Sequence, residues 1–297
     1  MRYEFIASHK NQHAVERMCR VLSVGRSGYY AWQSRPASPR THSNQALVAQ
    51  IREEHQASRQ TYGSPRIHVA LQRKGTVCGR NRVARLMRLY GIVAKRARKW
   101  FPITTRRDPT AVPAPNLLNQ NFSSPAPDRK WVADIAYIDT AEGWLYLASV
   151  MDLFSRKIVG WAMAEHMETS LVQEALKMAM LRREPSCGLL HHSDQGSQYT
   201  SEAFQQSLAA YHCQVSMSSV GNCFDNAAME SFFATLKTEC ATKQFATRAQ
   251  ARTAIFEYIE AWYNRQRLHS SLGYLSPMEF ERISGHYSCP QNWGKSS

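Results

Sequence analysis

The sequence predicts a basic, all-helical region followed by an α/β domain built on a five-stranded sheet. Before a proline-rich stretch, apolar residues recur at helical spacing. After it, KWVADIAYI alternates as a strand does, and the downstream order is three strands, a helix, a strand, a helix and a strand. The 297 residues are 43% hydrophobic, which is enough to form buried cores in two or three domains.

The positive charge is concentrated in the first third of the chain. Residues 1–110 contain 22 lysines and arginines against 5 aspartates and glutamates, whereas residues 111–297 contain 15 against 18. The whole chain carries a formal net charge of +14. A basic block of this density predicts a polyanionic partner such as nucleic acid.

Several classes of protein are disfavoured by composition. No apolar run approaches the roughly 20 residues of a membrane helix, and the N-terminus lacks the apolar core of a signal peptide. The seven cysteines are scattered and never form C-x-x-C, so His9, His13 and Cys19 do not complete a zinc site. We therefore expect a cytoplasmic protein with reduced thiols and no membrane contact.

Two basic helical domains are predicted before the linker. Residues 1–40 predict a helix-turn-helix, with one helix around 11–20 and a second from about Ser27. Residues 41–100 predict a second basic helical domain. Its last helix, near residues 80–90, has apolar residues that can face a core, namely Val83, Leu86, Met87 and Leu89.

Arginines of these two domains are the candidates for DNA contact. A basic helix can enter a major groove or lie along phosphates, although a solvated surface accounts for some of the charge equally well. The candidate residues are Arg26, Arg66, Arg80, Arg82, Arg85 and Arg88.

Residues 101–127 are predicted to be a linker because they contain six of the twelve prolines. Within it, Leu117, Leu118 and Phe122 suggest docking on a neighbouring domain. The α/β domain is assigned to residues 128–245. A helical C-terminal extension follows at 246–297, in which the residues expected to pack or to open a helix are Ile255, Ile259, Trp262 and Pro277.

Three carboxylates stand out in the α/β domain. Asp134 lies inside the first strand, Asp194 follows the fourth, and Glu230 lies on the helix after the fifth. That helix has a core stripe at i, i+3, i+4 and i+7, formed by Met229, Phe232, Phe233 and Leu236. The simpler alternative is that the three carboxylates merely cap turns and helices.

Other polar residues near the three carboxylates are interpreted as structural. Asp152 and Asp225 are expected to serve a hairpin turn and a helix cap. His191 and His192 are expected to pack or to support the site. Neither Ser193 nor Tyr199 has the surrounding residues that a covalent nucleophile needs.

Four segments together carry a family resemblance: WVADIAYI, HHSDQGSQYT, NCFDNAAMESFFATLKTE and YNRQRLHSSLGYLSP. They resemble the DDE transposases of bacterial insertion sequences, whose catalytic core is of the retroviral-integrase type. More narrowly, the chain resembles the larger reading-frame product of the group that transposes through a circular intermediate. This resemblance covers nearly the whole chain. It implies an RNase H-like mixed sheet flanked by helices, and metal-dependent DNA strand cleavage and strand transfer at element ends.

The resemblance also implies roles for individual residues. Asp134 would bridge two Mg²⁺ ions, and Asp194 and Glu230 would each complete one of them. Carboxylates suit hard cations, and Mn²⁺ fits the same ligands. Lys237 resembles the basic residue that family members place two turns beyond the glutamate to contact DNA.

The partners implied are double-stranded DNA, as element terminal repeats and as target, and further copies of the chain in a homo-oligomer on DNA. In that group an upstream reading-frame product commonly adds its own helix-turn-helix and zipper. The expected location is the bacterial cytoplasm, in association with the nucleoid. Two alternatives stay open, which are a non-catalytic DNA-binding regulator of transposition and an RNase H-like nuclease that cleaves without joining.

Overall fold

The computed structural model describes residues 1–36, 38–95, 113–219 and 223–287. The chain divides into two compact units, Met1–Glu53 and Glu54–Ser297. Residues 101–112 of the predicted linker and residues 288–297 of the predicted extension, including Cys289, lie outside the described residues. The bounds of the five segments derived from the sequence remain predictions.

The first unit is helical, as predicted. It contains α1 (Arg2–His9), α2 (Val15–Val21), α3 (Arg26–Ser34) and most of α4 (Pro39–Ala57). Its small core consists of Ile6, Met18, Cys19 and Tyr29. The sequence pattern missed α1 and started α2 too early. The reason is that α1 buries a single apolar residue, Ile6, so its periodicity is faint.

Two basic helices open the second unit, α5 (Ser64–Arg73) and α6 (Arg80–Leu89). Pro65 lies in the first turn of α5 and Gly75 follows its end at φ +80°, as expected of a helix stop. On α6, Val83, Leu86 and Met87 are buried. The prediction that Leu89 faces the core is wrong, because it is 67% exposed and lies about 120°, a third of a turn, around the helix axis from Val83.

A mixed five-stranded sheet forms the centre of the second unit, which confirms the predicted fold class. Its order is β3-β2-β1-β4-β5. The first three strands pair antiparallel, whereas β4 and β5 run parallel to β1. The strands are β1 (Lys130–Ile138), β2 (Leu145–Asp152), β3 (Ile158–Ala164), β4 (Leu190–Ser193) and β5 (Gln214–Met217).

Helices cover both faces of the sheet. They are α7 (Thr169–Arg183), α8 (Ser197–Thr200), α9 (Glu202–Ala210), α10 (Ala227–Glu239), α11 (Arg248–Glu257) and α12 (Pro277–Tyr287). Trp131 and Ala133 of β1 pack in a core with α7 and α9, whereas Val132 and Ala136 pack in a core with α10 and α11. The predicted alternation of β1 is thus confirmed, and both of its faces are buried.

The described part of the predicted linker docks on the second unit. Leu118 is buried in the α10-side core and Phe122 packs against it. The Ser216 hydroxyl accepts hydrogen bonds from the backbone N–H groups of Leu117 and Leu118, at 2.9 and 3.2 Å. The prediction that part of the linker docks is thus confirmed, although the Leu117 side chain itself is exposed.

The C-terminal extension follows the predicted packing. Ile255 and Ile259 are fully buried, and Trp262 packs against the same core. Between α11 and the loop that follows, residues Tyr258–Tyr263 form a π-helical turn. The last helix, α12, begins at Pro277. In the parts of the chain that the structure describes, no helix is long and apolar enough to cross a membrane.

Gly160 marks a close approach of β3 to α7. A Cβ at this position would meet the backbone oxygen of Ala175 and lie 2.7 Å from the Cβ of Ala179. Because packed backbone cannot readily move aside, we expect Gly160→Ala to lower the free energy of unfolding by about 3 kcal/mol, at the upper end of overpacking costs, in denaturant titrations. Gly285→Ala, on exposed α12 with open space around it, should instead raise it by up to about 1 kcal/mol. Equal effects would contradict the steric explanation.

Candidate active site

Asp134 and Asp194 occupy matching positions on neighbouring parallel strands. The β1–β4 ladder pairs Lys130 with Leu190 and Val132 with His192. Two residues beyond the last of these pairs, β1 has Asp134 and the chain leaving β4 has Asp194. The strand period of two puts Asp134 on the same face as Val132, which is the face covered by α10.

Asp194 also caps a turn, as the simpler interpretation expected. Its Oδ1 accepts a hydrogen bond of 3.0 Å from the backbone N–H of Gly196. A Cβ at Gly196 would lie 3.0 Å from the same oxygen, so a side chain here would crowd the carboxylate. This turn fixes the direction in which the Asp194 carboxylate leaves the sheet edge, so the structural and the chemical interpretations are compatible.

Glu230 and Lys237 are carried by α10, which is anchored beside Asp134. The side-chain amide of Asn226, the residue before α10, donates a 3.4 Å hydrogen bond to the backbone oxygen of Ala133. Glu230 is exposed and Lys237 half-buried, while the predicted stripe on the other side of the helix is fully buried. Packing of α10 therefore turns the Glu230 edge outward from the core.

The charges of Asp194, Glu230 and Lys237 all shift the pKa of Asp134. Burial and, next, the Asp194 carboxylate raise the pKa of Asp134 well above its usual range. Glu230 raises it further, whereas the backbone N–H of Ile135 and the Lys237 ammonium lower it. The structure thus brings Asp134, Asp194, Glu230 and Lys237 into one electrostatic neighbourhood.

Burial also disfavours the charged forms of the groups around Asp134. It raises the pKa of Glu230 and lowers that of Lys237, which Asp134 partly restores. Tyr199 is buried nearby, and burial together with the charges of Asp134 and Asp194 raises its pKa well above 10. That Tyr199 is not a nucleophile stays a prediction.

A divalent cation fits this donor set, because hard oxygen ligands and unrelieved repulsion between carboxylates both favour one. In the described residues, however, no three His, Cys, Asp or Glu side chains stand close enough to hold a metal ion together. Asp134 and Asp194 are brought together by the strand register. Glu230 is exposed on the neighbouring α10.

Asp225 is a supporting residue whose role the sequence pattern misassigned. It is buried one position before the cap of α10, in the 3-10 turn Cys223–Asn226, and it is not the cap itself. Its carboxylate accepts hydrogen bonds from the side chains of Asn116 and Gln120 and from the backbone N–H of Ser219, at 2.8 to 3.3 Å. Asp225 thereby ties the docked linker to the start of the helix that carries Glu230.

The two histidines before Asp194 are structural, as expected. His192 makes hydrogen bonds with the hydroxyls of Ser216 and Ser218, and burial lowers its pKa to about 4. His191 is buried with its ring edge against Phe204, and burial lowers its pKa to about 3. Both rings are therefore neutral near pH 7.

Asp152 serves the hairpin turn between β2 and β3, as predicted. It accepts hydrogen bonds from the backbone and hydroxyl of Ser155. Burial, opposed by Ser155, raises its pKa to about 6. The carboxylates of Asp128 and Glu281 add to the rise, whereas Arg183 opposes it.

This shift predicts a pH dependence of stability. Because the folded chain binds a proton at Asp152 more readily than the unfolded chain, whose pKa is about 3.9, folding loses stability as pH rises through this interval. Relative to Asp152→Asn, the free energy of unfolding of the wild type should fall by roughly 2–3 kcal/mol between pH 4 and pH 7. Parallel pH profiles of the two proteins in urea titrations would contradict the assignment.

The predicted DNA-contacting arginines are spread over the two units. On α6, Arg85 and Arg88 are exposed on the side away from the buried face, Arg80 is exposed at the first residue of the helix, and Arg82 is half-buried. Arg26 is exposed at the start of α3, 3.8 Å from Glu16. Arg66 is half-buried, with its guanidinium over the Tyr62 ring.

Family models match three parts of the chain. Residues 124–223 and residues 230–284 each match a model described as an integrase core domain. Residues 42–100 match an HTH-like domain. The two integrase matches together include Asp134, Asp194 and Glu230.

Similar proteins cover almost the whole chain. A protein of insertion element IS600 from Shigella sonnei, described as an uncharacterized 31 kDa protein, is 45% identical over 264 residues, covering 89% of this chain and 97% of its own length. The transposase InsF for insertion sequence IS3A from Escherichia coli strain K12 is 41% identical over 284 residues, covering 95% and 98%.

Solved structures give weaker likenesses. A chain of the simian T-cell lymphotropic virus intasome, in complex with the PP2A regulatory subunit B56 gamma, is 11% identical at a TM-score of 0.47, covering 83% of this chain and 77% of that one. The HTLV-2 integrase catalytic core domain in complex with magnesium is 14% identical at a TM-score of 0.42, covering 53% and 99%. With TM-scores below 0.5, neither likeness carries functional weight.

Proposed function

The chain belongs to the family of insertion-sequence transposases, and on that premise we propose that it cleaves and transfers DNA strands at element ends through Asp134, Asp194 and Glu230. It is a DDE-type transposase with an HTH-like DNA-binding domain and an integrase core. The single observation that carries the site assignment is the matched register of Asp134 and Asp194, with Glu230 and Lys237 in electrostatic reach.

A divalent metal is part of this proposal. We propose that Asp134, Asp194 and Glu230 hold two Mg²⁺ ions, which Mn²⁺ can replace, because their oxygen donors suit hard cations. When bound, such ions activate an oxygen nucleophile and neutralise charge on the attacking and leaving oxygens of the phosphodiester. Lys237 adds a positive charge beside the carboxylates, where it can attract the phosphate of a bound strand.

The DNA is proposed to lie across basic helices as well as the active site. Arg80, Arg85 and Arg88 of α6 are exposed, and Arg85 and Arg88 project away from the buried face of that helix. Together with Arg26 and Arg82 they suit phosphate contacts that orient a duplex. Double-stranded DNA as terminal repeat and target, and a homo-oligomer assembled on it, are the partners that we infer.

Two finer points of this function are also proposals. An upstream reading-frame product could supply a further helix-turn-helix and a zipper to the active complex. Association with the bacterial nucleoid would follow from DNA binding by a chain whose formal net charge is +14. Neither point is needed for the chemistry proposed at Asp134, Asp194 and Glu230.

The test is strand cleavage and joining by the full chain on a labelled duplex that carries the element's own ends, with Mg²⁺ and again with Mn²⁺. We expect both cleaved and joined products, and none in EDTA. Cleavage without joining would replace the proposal with a nuclease. If DNA is bound without chemistry, even after the upstream product is added, the chain is a regulator.

A further inference from the structure

A second polar pocket lies beside α10, away from the carboxylates. It has a volume of about 320 Å³, at the small end of the roughly 300–1,000 Å³ of ligand pockets. Three guanidinium groups line it, from Arg66 on α5, Arg156 in the hairpin turn after β2, and Arg267 after the π-helical turn. The remaining polar lining includes the exposed hydroxyls of Ser231, Ser270 and Ser271.

The pocket carries more positive than negative charge. Arg267 is buried and paired with the buried Glu239 carboxylate, at 2.9 Å. In the described residues, no carboxylate forms an ion pair with Arg66 or Arg156. Burial lowers the pKa of each of them, and Arg267 lowers that of Arg66 further. Glu239 neutralises Arg267, so Arg66 and Arg156 are left as two partly desolvated cations in the pocket lining.

The pKa of His269 reflects the positive charge around this pocket. Burial lowers its pKa to about 3, and the charges of Arg267, Arg66 and Arg156 all act in the same direction. Its Nε2 is buried and has no hydrogen-bond partner among the described residues. When the proton of this neutral ring is on Nε2, an unmet N–H donor lies beside three guanidinium groups, and this combination favours an incoming anion.

Arg156 is held in a backbone conformation that arginine rarely adopts. Its φ is +61°, in the left-handed region that glycine favours. The turn tolerates this cost, and the result is a guanidinium that lines the pocket. Because glycine would suit this turn with less strain, the presence of arginine points to a role for its side chain.

The pocket and the carboxylate site share α10. Ser231 and Thr235 line the pocket, whereas Glu230 and Lys237 lie on the neighbouring stripe of the same helix. Ser231 directly follows Glu230, about 100° around the helix axis. The pocket and the carboxylate site therefore lie on adjacent sides of the same helix.

From these observations we propose that the pocket of Arg66, Arg156 and Arg267 binds a backbone phosphodiester of the DNA strand held at the active site. The ligand is a phosphate group, which guanidinium forks recognise through paired hydrogen bonds. Arg66 and Arg156 make the contact, while Glu239 holds Arg267 in place. The inference rests on the proposed function, because it takes the bound strand to be the substrate of Asp134, Asp194 and Glu230.

The test measures binding of the full chain to a duplex carrying the element end, in EDTA, so that chemistry plays no part. A neutral methylphosphonate is placed at each backbone position near the cleaved end in turn. We expect one position to weaken wild-type binding about tenfold. That penalty should vanish in Arg156→Gly, which removes the guanidinium and suits the left-handed turn, and in Arg66→Gln. Each variant should also reduce the slope of log affinity against log salt by about one.

Arg282→Gln, on exposed α12, is the matched control and should keep the penalty. Thermal unfolding with inorganic phosphate, against chloride at equal ionic strength, should show stabilisation of the wild type and none of Arg156→Gly. Phosphate binding without any sensitive strand position would overturn the DNA assignment. If the wild type cleaves and joins while the pocket variants bind DNA normally, the pocket is overturned and the function stands. If the penalty depends on Arg66 and Arg156 in a chain that neither cleaves nor joins, the function is overturned and the phosphate pocket stands.

Discussion

Asp194→Asn is expected to lower the rates of strand cleavage and joining by at least about 10³-fold. Asparagine keeps the size of the side chain and the oxygen that accepts from the Gly196 N–H, so the turn should persist. The substitution removes the negative charge through which the carboxylate would bind a metal ion. Metal catalysis contributes several kcal/mol to such displacements, and each 1.36 kcal/mol corresponds to tenfold in rate.

The measurement is single-turnover cleavage and joining on the element end, with Asp139→Asn as the matched control. Asp139 is exposed after β1 and hydrogen-bonds with Gln244, so its variant should keep at least half of the activity. DNA binding by Asp194→Asn in EDTA should equal or exceed that of the wild type, because a negative charge is lost near the phosphates. If Asp194→Asn retains more than a tenth of the activity, it is not a metal ligand.

Glu239→Ala is expected to lower the free energy of unfolding by roughly 3–5 kcal/mol, which is the usual cost of breaking a buried ion pair from one side. Glu239 ends α10, and its carboxylate accepts from the guanidinium of Arg267, the phenol of Tyr258 and the indole of Trp262. Its loss leaves Arg267 buried without a counter-charge, near Arg66 and Arg156.

Denaturant titration checks this value against Glu257→Ala, an exposed glutamate at the end of α11, which should change stability by less than about 0.5 kcal/mol. The double variant Glu239→Met, Arg267→Met should recover much of the loss, because replacing both charges leaves none unpaired. A double variant as unstable as Glu239→Ala would show that packing, not the unpaired charge, causes the effect.

Local patterns in the sequence were enough to predict most of the second unit. The alternation of β1 predicted which face Asp134 occupies, because the side-chain period of a strand is independent of its neighbours. The stripe of Met229, Phe232, Phe233 and Leu236 likewise predicted which side of α10 is buried. An error occurred at the end of a helix, at Leu89, whose side chain is exposed where the apolar stripe of α6 stops.

The sequence alone determined that one carboxylate lies in a strand, one in a turn and one on a helix. It also determined the basic first third of the chain and the family resemblance. Only the tertiary structure decided what lies beside these carboxylates. Asp225 became a buried anchor for the linker, and Arg66, Arg156 and Arg267, far apart along the chain, came to line one pocket. No local pattern encodes such groupings, because they depend on sheet register and helix packing between segments that are distant in sequence.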